Sequence, residues 1–84
     1  YEPIWSIGTG KIPTAIELKK ITIHIKKVLK GIFKKSSTSV IYGGSVDGSS
    51  VEMFKEITEI DGFLIGGASK NSKKFIDIIK NYYR

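Results

Sequence analysis

Two glycine pairs are the residues whose types and spacing most readily support chemistry in this 84-residue chain. Gly43-Gly44-Ser45 and Gly66-Gly67-Ala68-Ser69 each follow a short apolar run. Glycine lets the backbone approach a ligand closely and point its N–H groups toward it. The second pair also precedes a predicted helix, whose free N–H groups and dipole favour an anion. The spacing indicates a phosphate site, and a simple turn after each strand is the alternative.

Glu2 and Trp5 are further candidates, and both lie near the start of the chain. Glu2 is a lone carboxylate, for which a surface acid is the simpler interpretation on composition alone. Trp5 is the only tryptophan and either packs or anchors a loop. Two prolines and the run Gly8-Thr9-Gly10 predict that residues 3–13 form this loop.

The predicted strands place both glycine pairs at one edge of a sheet. Continuous apolar runs at residues 40–42 and 63–65 predict two strands, each ended by its Gly-Gly. Runs of this kind are typical of a parallel sheet that is buried on both faces. In α/β folds, ligands bind at the carboxyl ends of the strands, which is where the glycines lie.

Three helices are predicted around these strands. Thr14 and Glu17 have the spacing of a helix cap, and the helix should continue to about Phe33. A polar linker at 36–38 follows this helix and precedes the first strand. A short helix is predicted through Val51, Phe54 and Ile57 and is followed by an Asp61-Gly62 turn. A last helix is predicted over about 72–82. The apolar faces predicted for the long first helix and the last helix are Leu18, Ile21, Ile25, Val28, Leu29 and Ile32, and Phe75, Ile78, Ile79 and Tyr82. This order predicts an α/β fold with a right-handed crossover between parallel strands.

Composition excludes several classes of site. There is no Cys, so disulfides, Cys-based zinc sites and thiol catalysis are excluded. The single His24 cannot build a His-rich metal site, and we expect it to be a surface or boundary residue. The apolar stretches are too short to span a membrane, and no export leader opens the chain.

The charge of +6 leaves a second class of function open. Between Leu18 and Val46 there are seven Lys and no acid, which is the pattern of a helix that binds polyanions. The alternative is a solvated face in a chain biased toward Ile and Lys, with 15 and 13 copies. The only Arg is Arg84, whereas nucleic-acid readers usually use Arg. A non-catalytic basic α/β module that binds phosphate-rich ligands or nucleic acid therefore stays a rival hypothesis.

Three motifs together resemble one known family. The first eleven residues, YEPIWSIGTGK, closely resemble the YEPVWAIGTGK signature of the triosephosphate isomerase family. Residues 42–46 resemble its YGGSV turn, and residues 61–69, DGFLIGGAS, are similar to its DGFLVGGAS segment. The motifs occur in the family's order and spacing, and the resemblance covers the whole chain.

The resemblance implies that residues 1–84 are the C-terminal portion of a single (β/α)8 TIM barrel, which needs roughly 250 residues. It implies the end of strand 6, helix 6, strand 7, helix 7, strand 8 and helix 8, without the N-terminal two-thirds. The opening Tyr1-Glu2-Pro3 has no initiator Met, so we expect a chain cut from a longer one.

The resemblance also implies roles for individual residues. Glu2 matches the catalytic base, which moves a proton between the carbons of the substrate. The backbone N–H groups of Gly8, Ser45, Gly66 and Gly67 match the family's phosphate cup. The mobile lid and its hinges match Pro3, Ile4, Trp5, Ser6, Ile7, Gly8, Thr9, Gly10, Lys11, Ile12 and Pro13.

The implied activity is the interconversion of dihydroxyacetone phosphate and glyceraldehyde 3-phosphate through an enediolate, as in glycolysis and gluconeogenesis. It needs no cofactor and no metal. The resemblance further implies a cytoplasmic homodimer with no nucleic-acid or membrane partner. The family's electrophilic His and its Asn and Lys would lie upstream of Tyr1, so we expect the 84-residue chain alone to be inactive.

Two departures from the family pattern lie in the loop. Pro13 stands where Ala is frequent, which narrows φ at the second hinge. Ser6 replaces another frequent Ala, and we expect this to be a small change that touches neither the base nor the phosphate cup.

Overall fold

The computed structural model describes residues 1–34 and 38–84. Of the predicted linker, Ser36 and Ser37 lie outside the described residues. In chain order the helices and strands are α1 (Ala15–Phe33), β1 (Ile41–Gly44), α2 (Gly48–Phe54), β2 (Gly62–Ile65) and α3 (Ser72–Tyr83). Short 3-10 turns cover Ile4–Ser6 before α1 and Gly67–Lys70 before α3.

The two strands are parallel, which confirms the predicted α/β class. Ile41 lies opposite Gly62, and Gly44 lies opposite Ile65. The prediction that Gly43 and Gly44 end the first strand is wrong, because both are paired within β1. They are glycines because the side chains of neighbouring segments occupy the space beside them.

The backbone of Tyr1 lies along the other edge of β1. The amino group of Tyr1 donates to the carbonyl oxygen of Ile41 at 2.9 Å, and the N–H of Gly43 donates to the carbonyl of Tyr1 at 2.8 Å. This alternation is the hydrogen-bond pattern of a parallel ladder around Tyr42. On the opposite edge of this segment, which faces β2, the N–H of Asp61 donates to the carbonyl of Val40. Tyr1 therefore occupies the position of a third parallel strand, next to β1 and opposite β2.

The core lies on one face of this sheet, against α2 and α3. Tyr42 and Phe54 are fully buried there, with ring centroids 5.1 Å apart in an edge-on arrangement. The buried cluster is completed by Leu18, Val46, Val51, Ile57, Ile60 and Ile78. On the opposite face Ile41 and Leu64 remain 43% and 50% exposed, so the prediction of two buried faces is wrong for this structure.

The helices begin and end close to their predicted positions. The hydroxyl of Thr14 accepts the N–H of Glu17 at 3.1 Å, which confirms the cap, and α1 ends at Phe33 as predicted. The second helix is shorter than predicted, since Ile57 lies in the turn that follows it. Only part of each predicted apolar face is covered: Leu18 and Ile78 are buried, whereas Val28, Ile32, Phe75, Ile79 and Tyr82 are exposed.

Asp61 joins α1 to the start of β1. Its Oδ2 accepts the N–H of Val40 at 2.7 Å and lies 2.9 Å from Nζ of Lys26. The hydrogen bond from Val40, and then the Lys26 ammonium, hold the pKa of this carboxyl below its ordinary value of 3.8. Because the folded pKa is lowered, the stability that this charge contributes is present above pH 3.8 and is lost as the pH falls through the folded value.

Replacing Asp61 by Asn should therefore destabilise the fold in a pH-dependent way. The amide oxygen can still accept the Val40 bond, so the change removes mainly the charge. At pH 7 we expect the free energy of unfolding to fall by about 1 kcal/mol, a modest value because the pair is partly exposed to solvent. At pH 3 the decrease should be smaller. Urea unfolding at both pH values measures this, with Glu56→Gln as the matched change at an exposed acid. An equal loss at both pH values would contradict the role of the charge.

Candidate functional site

A cleft of about 660 Å³ opens at the carboxyl ends of β1 and β2. This volume lies within the range of roughly 300–1,000 Å³ that small-molecule sites occupy. Its walls come from the loop at Gly8, the turn after β1, the turn after β2 and one side of α3. Gly8, Ser45, Gly66 and Gly67, the residues predicted for an anion, all line it. The structure thus brings together residues that are separated by up to 59 positions in the chain.

The wall nearest the glycines is mostly backbone and small side chains. Lys74 on α3 supplies positive charge to the cleft, and Glu52 and Asp77 supply negative charge. Asp47 also lines it, but its Oδ1 caps α2 by accepting the N–H groups of Ser49 and Ser50 at 2.9 and 2.7 Å. An anion beside the glycines would meet backbone N–H groups, which favour negative charge.

The loop of residues 3–13 has a defined conformation. The hydroxyl of Thr9 donates to the carbonyl of Trp5 at 2.7 Å and accepts the N–H of Lys11 at 3.1 Å. Gly8 and Gly10 have φ values of +66° and +79°, the left-handed region that glycine adopts without strain. These bonds connect the two sides of the loop, at Trp5 and Lys11, through the side chain of Thr9.

Ser6 and Ser45 join this loop to the sheet. Ser6 is fully buried, and its Oγ lies 2.8 Å from the hydroxyl of Tyr42 and donates to the carbonyl of Lys11. The N–H of Ser45 donates to the same Oγ at 3.3 Å. In return Oγ of Ser45 donates to the carbonyl of Ser6 at 2.7 Å and accepts the N–H of Gly10 at 2.9 Å. The expectation that Ser6 does not touch the predicted phosphate cup is therefore wrong.

Tyr42 is the most buried titratable group of this network. Burial raises the pKa of its phenol above the ordinary value of 10.0. The bond to Ser6 would lower that pKa only if Ser6 were the donor, and the Ser6 proton is already used on the Lys11 carbonyl. Because the folded pKa is raised, the contribution of the protonated phenol to stability is complete below pH 10.0 and is lost as the pH rises through the folded value.

Glu2 lies on the other face of the sheet, beside the strand that leads to the cleft. A Cβ at Gly43 would lie 2.8 Å from Cγ of Glu2, so the side chain of Glu2 crosses the strand at this glycine. Glu2 is exposed and does not line the cleft. Its carboxylate is on the uncovered face that also carries Ile41 and Leu64.

Other sequence candidates lie elsewhere. His24 is exposed on α1, away from the cleft, and Trp5 is about half exposed in the loop. Within residues 1–34 and 38–84 there is no group of three or more His, Cys, Asp or Glu that could hold a metal ion. None of the helices in the described part of the chain is long and apolar enough to cross a membrane.

Sequence reasoning missed the buried pair of Ser6 and Tyr42. The sequence predicts only a strand position for Tyr42 and only a small change from Ala for Ser6. The one signal in the sequence is that Ser6 has a hydroxyl at a position where the family frequently has the methyl of Ala.

Residues 1–82 match the family model described as Triosephosphate isomerase. The chain belongs to the triosephosphate isomerase family. All residues predicted for the base, the loop and the phosphate cup lie within the matched range, so the resemblance drawn from three motifs is confirmed at the level of the family.

Curated relatives named "Triosephosphate isomerase" show how much of the family's length is present. The one from Chlamydia abortus is 40% identical over 87 residues, which cover 100% of this chain and 34% of the relative. The one from Psychrobacter cryohalolentis is 44% identical over 79 residues, 93% of this chain and 29% of the relative. The one from Candida albicans is 42% identical over 85 residues, which cover 96% of this chain and 34% of the relative. The chain therefore spans about a third of the length of these relatives.

Proposed function

We propose that residues 1–84 form the C-terminal third of a (β/α)8 barrel, from the end of strand 6 to helix 8, in a longer polypeptide that we call the full-length protein. In this assignment β1 is strand 7 and β2 is strand 8. Tyr1 supports it, because its backbone pairs with β1 as the end of a neighbouring parallel strand would. The uncovered sheet face with Ile41 and Leu64 would become the barrel interior.

We propose that the full-length protein interconverts dihydroxyacetone phosphate and glyceraldehyde 3-phosphate through an enediolate. One observation carries this proposal: Glu2 lies beside Gly43 near the carboxyl end of β1, and the glycine-lined cleft opens at the carboxyl ends of β1 and β2. Active sites of barrels of this type lie at that edge, with phosphate sites after strands 7 and 8. Membership of the triosephosphate isomerase family supports this proposal.

In this mechanism Glu2 removes a proton from the hydroxyl-bearing carbon next to the substrate carbonyl and returns it to the former carbonyl carbon, while a second proton passes from the hydroxyl oxygen to the carbonyl oxygen. The N–H groups of Gly8, Gly66 and Gly67 hold the phosphate while the proton moves. The N–H of Ser45 joins them when the phosphate replaces Oγ of Ser6, 3.3 Å away, as its acceptor. The loop of residues 3–13 excludes water, which keeps the enediolate from losing its phosphate. No cofactor or metal takes part.

The polarising groups of the family, a His, an Asn and a Lys, would lie upstream of Tyr1. Loss of a single donor of this kind costs roughly 10²–10³-fold in rate. We therefore propose that the 84-residue chain alone is inactive, and that the full-length protein is a cytoplasmic homodimer of glycolysis and gluconeogenesis. An isomerase assay of both proteins tests this. Turnover by the 84-residue chain close to that of the full-length protein would contradict the barrel assignment.

The rival function rests on the exposed lysines of α1, which include Lys19, Lys20, Lys27 and Lys30. A nucleic-acid-binding module would bind with an affinity that falls steeply with salt and that survives replacement of Glu2. These lysines lie outside the cleft, and the helix that carries them would be an outer helix of the barrel. A full-length protein that binds nucleic acid but lacks isomerase activity would favour the rival.

Replacing Gly67 by Ala should weaken the phosphate site without disturbing the fold. A Cβ at this position has nothing within 4 Å, so the methyl causes no collision within the protein. The methyl would, however, take up space in the cleft beside the N–H that is proposed to bind phosphate. We expect the KM of the full-length protein for its triose phosphate to rise about tenfold, which is about 1.4 kcal/mol of binding. Steady-state kinetics measure this.

Gly31→Ala in α1 is the matched control, because a Cβ there also meets open space and lies outside the cleft. This control should leave KM unchanged. A KM for Gly67→Ala equal to that of the control would show that the phosphate lies elsewhere.

A further inference from the structure

We propose that the hydroxyl of Ser6 is the latch that holds the loop of residues 3–13 closed against the sheet. This role rests on the proposed function, since it concerns the loop that covers the phosphate site. It assigns Ser6 as a positioning residue, which acts through the loop and not on the substrate.

The single hydroxyl proton of Ser6 determines which group is the donor in each hydrogen bond of the latch. A serine hydroxyl can donate one hydrogen bond and accept two. Its proton goes to the carbonyl of Lys11, which can only accept. The hydroxyl of Tyr42, 2.8 Å away, must then donate to Ser6, and the N–H of Ser45 supplies the second accepted bond at 3.3 Å. The full capacity of one hydroxyl is used, and the bonds with Lys11 and Tyr42 remain when the N–H of Ser45 turns to phosphate.

These three partners belong to three different segments. Lys11 lies at the far hinge of the loop, Tyr42 lies in β1, and Ser45 lies in the turn that lines the cleft. Opening the loop would separate the carbonyl of Lys11 from Ser6, while the other two partners stay with the sheet. Because Ser6 is fully buried, water cannot replace the lost bond while the site stays packed.

The identity of two other residues fits this role. Pro13 has no N–H, so the second hinge offers one hydrogen-bond donor fewer than a chain with Ala there. The bond that fixes this hinge uses the carbonyl of Lys11 instead, and Ser6 supplies the donor. Gly44 leaves room for the pair, since a Cβ there would lie 2.7 Å from Oγ of Ser6 and would collide with the hydroxyl of Tyr42.

A purely structural serine would have a different signature. Its removal would lower the stability of the fold and leave the closure of the loop as it was. A latch, by contrast, protects the peptide bond after Lys11, because the carbonyl of that bond is the acceptor. Limited trypsinolysis at Lys11–Ile12 therefore separates the two roles, and phosphate lost from the enediolate during turnover reports loop closure independently.

The experiment compares the full-length protein with its Ser6→Ala variant in saturating inorganic phosphate. We expect cleavage at Lys11–Ile12, quantified by mass spectrometry of the released peptide, to become about tenfold faster, as expected for one buried hydrogen bond. In a separate assay with triose phosphate and no added inorganic phosphate, release of inorganic phosphate per isomerisation event should also increase. Ser39→Ala, the same change at an exposed serine, should leave both readouts unchanged.

Tyr42→Phe keeps the test decisive if Ser6→Ala does not fold. It removes one donor of the latch and should by itself accelerate the same cleavage. Where Ser6→Ala does fold, the double variant should be cleaved no faster than Ser6→Ala alone. Cleavage and phosphate release at unchanged rates in these variants would overturn the latch. A wild-type full-length protein without isomerase activity would instead overturn the proposed function, and the cleavage comparison would still decide the latch.

Discussion

Replacing Glu2 by Gln in the full-length protein is expected to lower kcat for isomerisation by about 10²–10⁴-fold, the usual contribution of a positioned general base. The amide has nearly the same shape as the carboxylate but cannot take up the proton. Because Glu2 does not line the cleft, the affinity for inorganic phosphate should stay within about threefold of the wild type. Steady-state kinetics and calorimetric titration with inorganic phosphate measure the two effects.

Two further variants sharpen this test. Glu2→Asp keeps the charge but withdraws the carboxylate by one methylene from the place where it crosses Gly43, so it should also lose most turnover. Glu17→Gln makes the same chemical change at an exposed acid of α1 and should behave as the wild type. If Glu2→Gln kept wild-type turnover, Glu2 would not be the base. If it lost phosphate affinity and turnover together, Glu2 would belong to the binding site instead.

The helices and the parallel pairing could be predicted because their signals are local. Thr14 and Glu17 specify the start of α1 within four residues, and uninterrupted apolar runs mark both strands. The role of Gly43 and Gly44 could not be read in this way. From local propensity alone, a glycine pair predicts the end of a strand. Here these positions within the strand carry no side chain because Glu2 and Ser6, about 40 residues earlier in the chain, occupy the space beside them.

The same division applies to the site. Gly8, Ser45, Gly66 and Gly67 could be expected to meet, because the carboxyl ends of parallel strands share one edge of a sheet. The Ser6 network could not be expected, because a hydroxyl is compatible with many loop positions and only the tertiary fold brings Tyr42 to it. The uncovered faces of α1 and β2 could not be foreseen either, since an apolar pattern shows which side needs a partner but not whether the chain supplies it.

Replacing Gly44 by Ala should be the most damaging single change to the fold near the site. The new methyl would collide with the hydroxyl of Tyr42 and would lie 2.7 Å from Oγ of Ser6. Neither group can withdraw easily, because Ser6 is fully buried and the ring of Tyr42 packs against Phe54. Overpacking costs about 1–3 kcal/mol, and an orphaned buried hydrogen-bonding group costs a similar amount. We expect a loss of about 2–4 kcal/mol in urea unfolding of the full-length protein.

The neighbouring glycine and one double variant show whether this collision is the cause. At Gly43 a methyl would meet mainly the side chain of Glu2, which is exposed and can rotate away. Gly43→Ala should therefore cost less than half as much stability, although it should displace the base and lower kcat. Tyr42→Phe removes the hydroxyl with which the Gly44 methyl collides, so the penalty of Gly44→Ala should shrink in that background. An undiminished penalty would mean that backbone conformation, and not the two hydroxyls, requires glycine at this position.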